Sequence, residues 1–132
     1  MSHPLHHAIS SAKKHGGTYE DYLAIHQWFD DTKMHYPDMR HRALRHHAEG
    51  IFWCENHFGV FITLANGKKV PTRVIGEQHV KEDLGFIPTI KDYLDNMNPK
   101  ECYWVYKGGK SRDVQRLVEE YENQLNPLNN EI

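Results

Sequence analysis

Cysteine is scarce. Cys54 and Cys102 are the only two in 132 residues, and their spacing fits neither a CxxC pair nor a disulfide framework, so both read as reduced thiols of a cytoplasmic protein. No apolar run approaches the roughly 18 residues that a membrane span needs. The opening Met1-Ser-His-Pro-Leu has neither the basic start nor the apolar stretch of a secretion signal. There is no Walker loop, no GxGxxG, no GxSxG elbow and no HExxH, so nucleotide-binding folds, hydrolase elbows and zincins have no support. Two distant cysteines cannot build a four-ligand finger. An excess of one charge is missing too: sixteen Lys and Arg face eighteen Asp and Glu, a formal net charge of −2, which argues against general nucleic-acid binding and against a strongly basic membrane surface. The chain shows no repeat or low-complexity tract. Its length fits a single globular domain, residues 1–132, with a C-terminal tail at 126–132 that should fray.

Histidine is abundant, with eleven in the chain. The stretch from His26 to His47 packs five histidines, three carboxylates and four basic residues into 22 positions. Imidazole and carboxylate are ligands for divalent transition metals, and arginine and lysine are partners for phosphate. The mixture points to a metal-assisted site for an anionic substrate. The competing reading is a solvated polar surface.

The hydrophobic period is mostly helical and predicts a mainly α fold: a small bundle of five to six helices with one β-hairpin at about 60–70. Pro4 opens a first helix to Lys14, which Gly16-Gly17 ends. Thr18-Tyr-Glu-Asp21 resembles a capping box for a second helix to about Lys33, with Tyr22, His26 and Phe29 on its apolar stripe. Pro37 starts a third, along which His41, Leu44, Ala48, Ile51, Glu55 and Phe58 recur until Gly59; Gly50 is an irregularity inside it. Asn66-Gly67 is the hairpin turn between Val60–Leu64 and Lys68–Val70. A helix from Pro71-Thr72 stops at Gly85, and Thr89-Ile-Lys-Asp92 caps a short one. Cys102–Tyr106 reads as extended, Gly108-Gly109 as a turn, and Ser111 as the cap of a last helix to about Leu125.

Ionisable residues fall on these stripes. His26 and Asp30 are i,i+4 on the second helix, so both project from one face. His41 occupies a core position of the third helix with Asp38 three residues before it, and His46 and Glu49 are i,i+3. On the fourth helix His79 lies three residues from Glu82 and four from Asp83. Buried without partners, such groups would cost several kcal/mol, so they must satisfy each other, bind water or hold an ion. Each pair taken singly is equally well read as a structural hydrogen bond. His3, His6, His7, His15 and His57 read as surface or packing residues, although His6 and His7 reach a site if the first helix packs over it. Arg40, Arg42 and Arg45 read as a solvated face or as a phosphate clamp. Ser10 and Ser11, near His6 and His7, are too weak a nucleophile candidate to carry chemistry.

The run Ile25-His26-x-Trp28-Phe-Asp30-x-Thr-Lys33-x-His35-x-x-Asp38-x-Arg40-His41-Arg42-Ala43-Leu44-x-His46-His47 resembles an uncharacterised family of small phage and bacterial proteins. So do Leu5-His6-His7 through Ala12-Lys13, Glu77-Gln-His79-Val-x-Glu82-Asp83-Leu-Gly85-Phe-Ile-Pro88-Thr and Asp92-Tyr-Leu, covering about residues 5–95. That family has no assigned activity, so the resemblance transfers no residue role. A looser analogy is to helical metal-dependent phosphohydrolases with a His-Asp doublet, but here no histidine is followed directly by aspartate.

These readings converge on a divalent-metal hydrolase (Zn, Mn or Fe) acting on a small phosphorylated or otherwise anionic substrate. His26, Asp30, His41 and His79 are the first-choice ligands, with Asp38, His46 and Glu82 in reserve. Glu55 or Glu49 would serve as general base, and Arg42 or Lys33 would neutralise developing charge. The alternative is a non-enzymatic phage or bacterial interaction protein, a host modulator or inhibitor, whose His-carboxylate network is structural and whose partner is another protein.

Overall fold

Local signals set where most helices start and stop. The computed structural model describes residues 3–98, 100–107 and 114–125, in two compact units, Met1–Asn96 and Met97–Ile132. In the first unit, α1 spans Pro4–His15, with the His3 side chain accepting from the Leu5 amide and Gly16 following its end. Thr18 opens a 3-10 turn, Tyr19–Asp21, and its amide donates to the Asp21 carboxylate at 2.9 Å. Helix α2 (Leu23–Asp30) continues into a second 3-10 turn, Asp31–Met34. Strands β1 (Phe61–Thr63) and β2 (Lys69–Pro71) pair antiparallel with Ile62 opposite Val70. Gly67 in the hairpin turn has φ +87°, the left-handed region that favours glycine. Helix α5 (Thr72–Leu84) ends at Gly85, and Thr89 caps α6 (Ile90–Leu94) with a capping box that Asp92 completes.

The third helix departs from expectation. Instead of one rod from Pro37 to Phe58, the chain forms a 3-10 turn, Met39–His41, capped by the Asp38 side chain, then α3 (Arg42–Arg45), and after a break at His46 and His47, α4 (Ala48–Phe58). Because the rod is broken, Leu44 leaves the core and is 46% exposed. Gly50 explains part of the break: a Cβ there would overlap the Arg45 carbonyl oxygen, so only glycine lets the chain fold back this tightly.

Helix α5 packs against α1, α2 and α4. Tyr22, Ile25, Phe29, Ile51, Ile75 and Val80 are among the core residues there. Several histidines are buried in the same interior, and they define the site.

In the second unit, Tyr103–Tyr106 forms a 3-10 turn rather than the extended segment expected, and α7 (Val114–Leu125) matches the last helix. The Gly108-Gly109 turn, the Ser111 cap and the fraying of 126–132 lie outside the described residues. Among the described residues no helix is long and apolar enough to cross a membrane.

Candidate metal centre

Three elements bring four ligand-type side chains together. Helix α2 supplies Asp30 from its last position, α5 supplies His79 and Asp83 one turn apart, and the break between α3 and α4 supplies His46. The break is held from several sides. His47 Nδ1 accepts from the Gly50 amide at 2.8 Å, the Ala48 amide donates to the Pro88 carbonyl at 2.8 Å, and the Tyr93 hydroxyl donates to the His46 carbonyl at 2.8 Å. His46 and His79 are fully buried, and Asp30 and Asp83 nearly so.

The ligand atoms face a common centre. His46 Nε2 lies 3.2 Å from His79 Nε2 and 3.1 Å from Asp83 Oδ2, and His79 Nε2 lies 3.2 Å from the same oxygen. Asp30 Oδ1 is 3.5 Å from each histidine nitrogen. A tetrahedral ion held at about 2.0–2.1 Å separates its ligands by about 3.3–3.4 Å, and five of the six edges of this tetrahedron fall at 3.1–3.5 Å. The Asp83 contacts also fit hydrogen bonds. The Asp30 contacts are long for hydrogen bonds, whereas they suit neighbouring ligands of one ion. This buried group of two imidazoles and two carboxylates could hold a metal ion.

Further polar groups wrap the cluster. His7, from α1, lies 2.9 Å from Glu82 Oε1 through Nδ1 and 3.1 Å from Asp83 Oδ1 through Nε2. Ionised carboxylates only accept, so a His7 that serves both donates from both nitrogens as an imidazolium. Burial pulls its pKa down, but the bonds to Asp83 and Glu82 outweigh it and the net shift is upward. His26 behaves oppositely: burial, then the neighbouring imidazoles His79 and His7, push it down to about 3, so it is neutral. Although burial opposes ionisation, contacts from His46 and His79 hold Asp30 below the usual carboxylate range. His46, His7 and His79 together do the same for Asp83. Among the described residues, Asp30 Oδ2, His41 Nε2, Arg42 Nε and His46 Nδ1 are buried without a hydrogen-bond partner. All four belong to the cluster or to residues bordering it.

Of the residues singled out from sequence, Asp30, His46 and His79 meet at the centre. His26 stands behind His79, its Nδ1 2.9 Å from His79 Nδ1. His41 points its unpaired Nε2 toward Asp30 Oδ1 at 3.7 Å, while its Nδ1 donates to the Asp38 carbonyl at 2.8 Å. Glu82 engages His7, Ser10 and Gln78 instead of the centre. The Asp38 side chain is not brought in; it faces solvent and pairs with Arg40 at 2.8 Å, because it is spent capping the 3-10 turn. Glu55 pairs with Arg73, and Glu49 accepts from the Ile90 amide, so neither reaches the cluster. Arg42 does, with Nη2 3.8 Å from Asp83 Oδ1. Lys33 is half-buried and its charge helps to lower Asp30.

Sequence reasoning leaves Asp83 out of the ligand set and reads His7 as a surface or packing residue that reaches a site if the first helix packs over it, as α1 does here. Both had a signal in their spacing: Asp83 is i+4 from His79, as Asp30 is from His26, and His7 is i−4 from Ser11, which shares the same buried network.

The chain belongs to a family described as "Domain of unknown function (DUF6915)", whose model matches residues 2–104 and so includes every residue of the centre. No curated protein and no solved structure matches the chain.

Proposed function

We propose that this family member binds one divalent metal ion through Asp30, His46, His79 and Asp83 and uses it to hydrolyse a small phosphorylated or otherwise anionic substrate. The observation that carries the metal assignment is the near-tetrahedral spacing of the four ligand atoms, with five edges of 3.1–3.5 Å; hydrolysis requires in addition that the ion take water as a fifth ligand. Two nitrogens and two oxygens suit Zn, Mn or Fe. A bound ion of this type supplies Lewis acidity and lowers the pKa of a coordinated water toward about 7. Arg42 favours an anionic substrate, since its guanidinium borders the centre and its Nε has no partner among the described residues. His41 suits the general base better than Glu49 or Glu55, because its Nδ1 is held by a hydrogen bond to the Asp38 backbone carbonyl and its Nε2, 3.7 Å from Asp30 Oδ1, has no hydrogen-bond partner among the described residues. Lys33 is a second source of positive charge.

Depth of burial favours a second reading: with both ligand histidines fully buried and the Asp83 side chain 3% exposed, the ion would be closed off and structural, in a protein whose task is to bind another protein. One experiment separates them. Untagged protein is assayed for metal content and then, metal-replete and chelated, on a panel of phosphoesters, phosphoanhydrides and cyclic nucleotides. Chelator-sensitive turnover supports the hydrolase. A stoichiometric ion with no turnover supports the structural reading, and no bound or bindable ion refutes both.

A further inference from the structure

The two nitrogens of His79 have different neighbours, and together they fix where its proton can be. Nε2 faces the centre and Nδ1 lies 2.9 Å from His26 Nδ1. A nitrogen that holds a metal ion carries no proton. When Nε2 holds the ion, the one proton of neutral His79 sits on Nδ1 and His26 Nδ1 must accept it. His26 then carries its own proton on Nε2, 2.8 Å from Ser11 Oγ. Ser11 Oγ accepts a hydrogen bond from that N–H and donates its own hydroxyl hydrogen bond to Gln78 Oε1, also at 2.8 Å. The Gln78 amide nitrogen ends the path by donating to the His7 carbonyl at 3.1 Å and to Glu82 Oε1 at 3.0 Å. His26, His79 and Ser11 are fully buried, and Gln78 is 7% exposed, so solvent offers these groups little alternative.

We propose that His26, Ser11 and Gln78 form a directional hydrogen-bond relay that holds His79 in the Nδ1-protonated tautomer and thereby sets the metal affinity. The proposal rests on the metal reading above. The three are positioning residues and touch neither ion nor substrate. Without an ion the polarity reverses. Asp83 Oδ2, an acceptor only, lies 3.2 Å from His79 Nε2 and draws the proton there. His79 Nδ1 then accepts from His26 Nδ1, and His26 Nε2 accepts from the Ser11 hydroxyl. Each imidazole keeps one proton in both states, so loading exchanges tautomers without changing the proton count of the relay.

The test uses full-length protein with 15N-labelled histidine, Zn2+ as the only added ion, and two-bond nitrogen–proton correlation spectra that report the protonated nitrogen of each ring. Zn2+ should move His26 from Nδ1-protonated to Nε2-protonated and His79 from Nε2-protonated to Nδ1-protonated. Ser11→Ala, which removes the acceptor for His26 Nε2, should weaken Zn2+ binding about tenfold, in line with other outer-layer partners of metal ligands. If Zn2+ binds but His26 stays Nδ1-protonated, or if Ser11→Ala binds within twofold of wild type, the relay is overturned and the metal site stands. If Zn2+ does not bind wild type, both are overturned.

Discussion

Asp30→Asn separates a metal ligand from a structural acceptor better than any other change at the centre. Asparagine keeps the size of the side chain and one acceptor oxygen while removing the charge that a cation needs. In metal-free protein Asp30 contacts His46, His79 and His41 only at 3.5–3.7 Å, so the substitution should cost about 1–2 kcal/mol. In the presence of metal the loss is larger. An ion at a hundredfold excess over its Kd stabilises the folded state by about 2.7 kcal/mol, and a tenfold to hundredfold loss of affinity cuts this to about 1.4 or about 0.4 kcal/mol. At about 4 °C per kcal/mol, wild type should melt about 10 °C higher with metal than with chelator, and the variant only about 2–6 °C higher. The assay is thermal melting of both proteins in chelator and in a fixed excess of Zn2+ or Mn2+. A wild type whose melting ignores metal, or a variant with an undiminished metal-induced rise, would refute the assignment.

Other outcomes follow from the same geometry. His26 falls to about 3 in the folded protein but titrates near 6.5 unfolded, so the unfolded chain binds the extra proton between those values. The stability His26 confers is therefore complete above about pH 6.5 and is lost as pH falls toward 3, by up to about 4–5 kcal/mol; His26→Asn should flatten this limb in melting curves of chelated protein. His7 works the other way, because its raised pKa gives stability that is full below about pH 6.5 and is lost as pH rises through the folded value. Melting of His7→Gln should therefore fall less than wild type above neutrality. Gly50→Ala forces a Cβ into the Arg45 carbonyl and should cost about 3 kcal/mol or more while reducing metal binding, since the displaced backbone carries His46. Isothermal titration with Zn2+ checks this directly. Arg42→Ala should leave metal content unchanged and lower kcat/KM on any anionic substrate about a hundredfold or more, and equal loss on neutral substrates would contradict an anion-binding role.

Much of the fold can be read from local signals because each acts within a few residues. Pro4, the Thr18 and Thr89 boxes, Asn66-Gly67 and Gly85 set element ends through groups close in sequence. The break at His46-His47 was hidden because the apolar spacing from His41 to Phe58 is compatible with one rod. Part of what interrupts it is distant: Ala48 bonds to Pro88, and His46 to Tyr93. Gly50 was the local trace, legible only as an irregularity.

The site divides along the same line. The i,i+4 rule identifies side chains that share a face of one helix, and in this way it correctly grouped His26 with Asp30 and His79 with its following carboxylates. It cannot say which member of a pair reaches a centre built from three elements. That depends on how α2 and α5 are rotated against each other, and here the rotation brings His26 Nδ1 to His79 while Asp30 extends past it to the far side of His79. Glu82 and Asp83 are adjacent on α5, about 100° apart around its axis, so the crossing of α1 decides between them. His7 lies between the two carboxylates, bonding both, and Asp83 Oδ2 is left to face the histidines. The places of Asp83 and His7 are thus set by one packing event: without α1 in place nothing distinguishes Asp83 from Glu82, and with it His7 and Asp83 are assigned together.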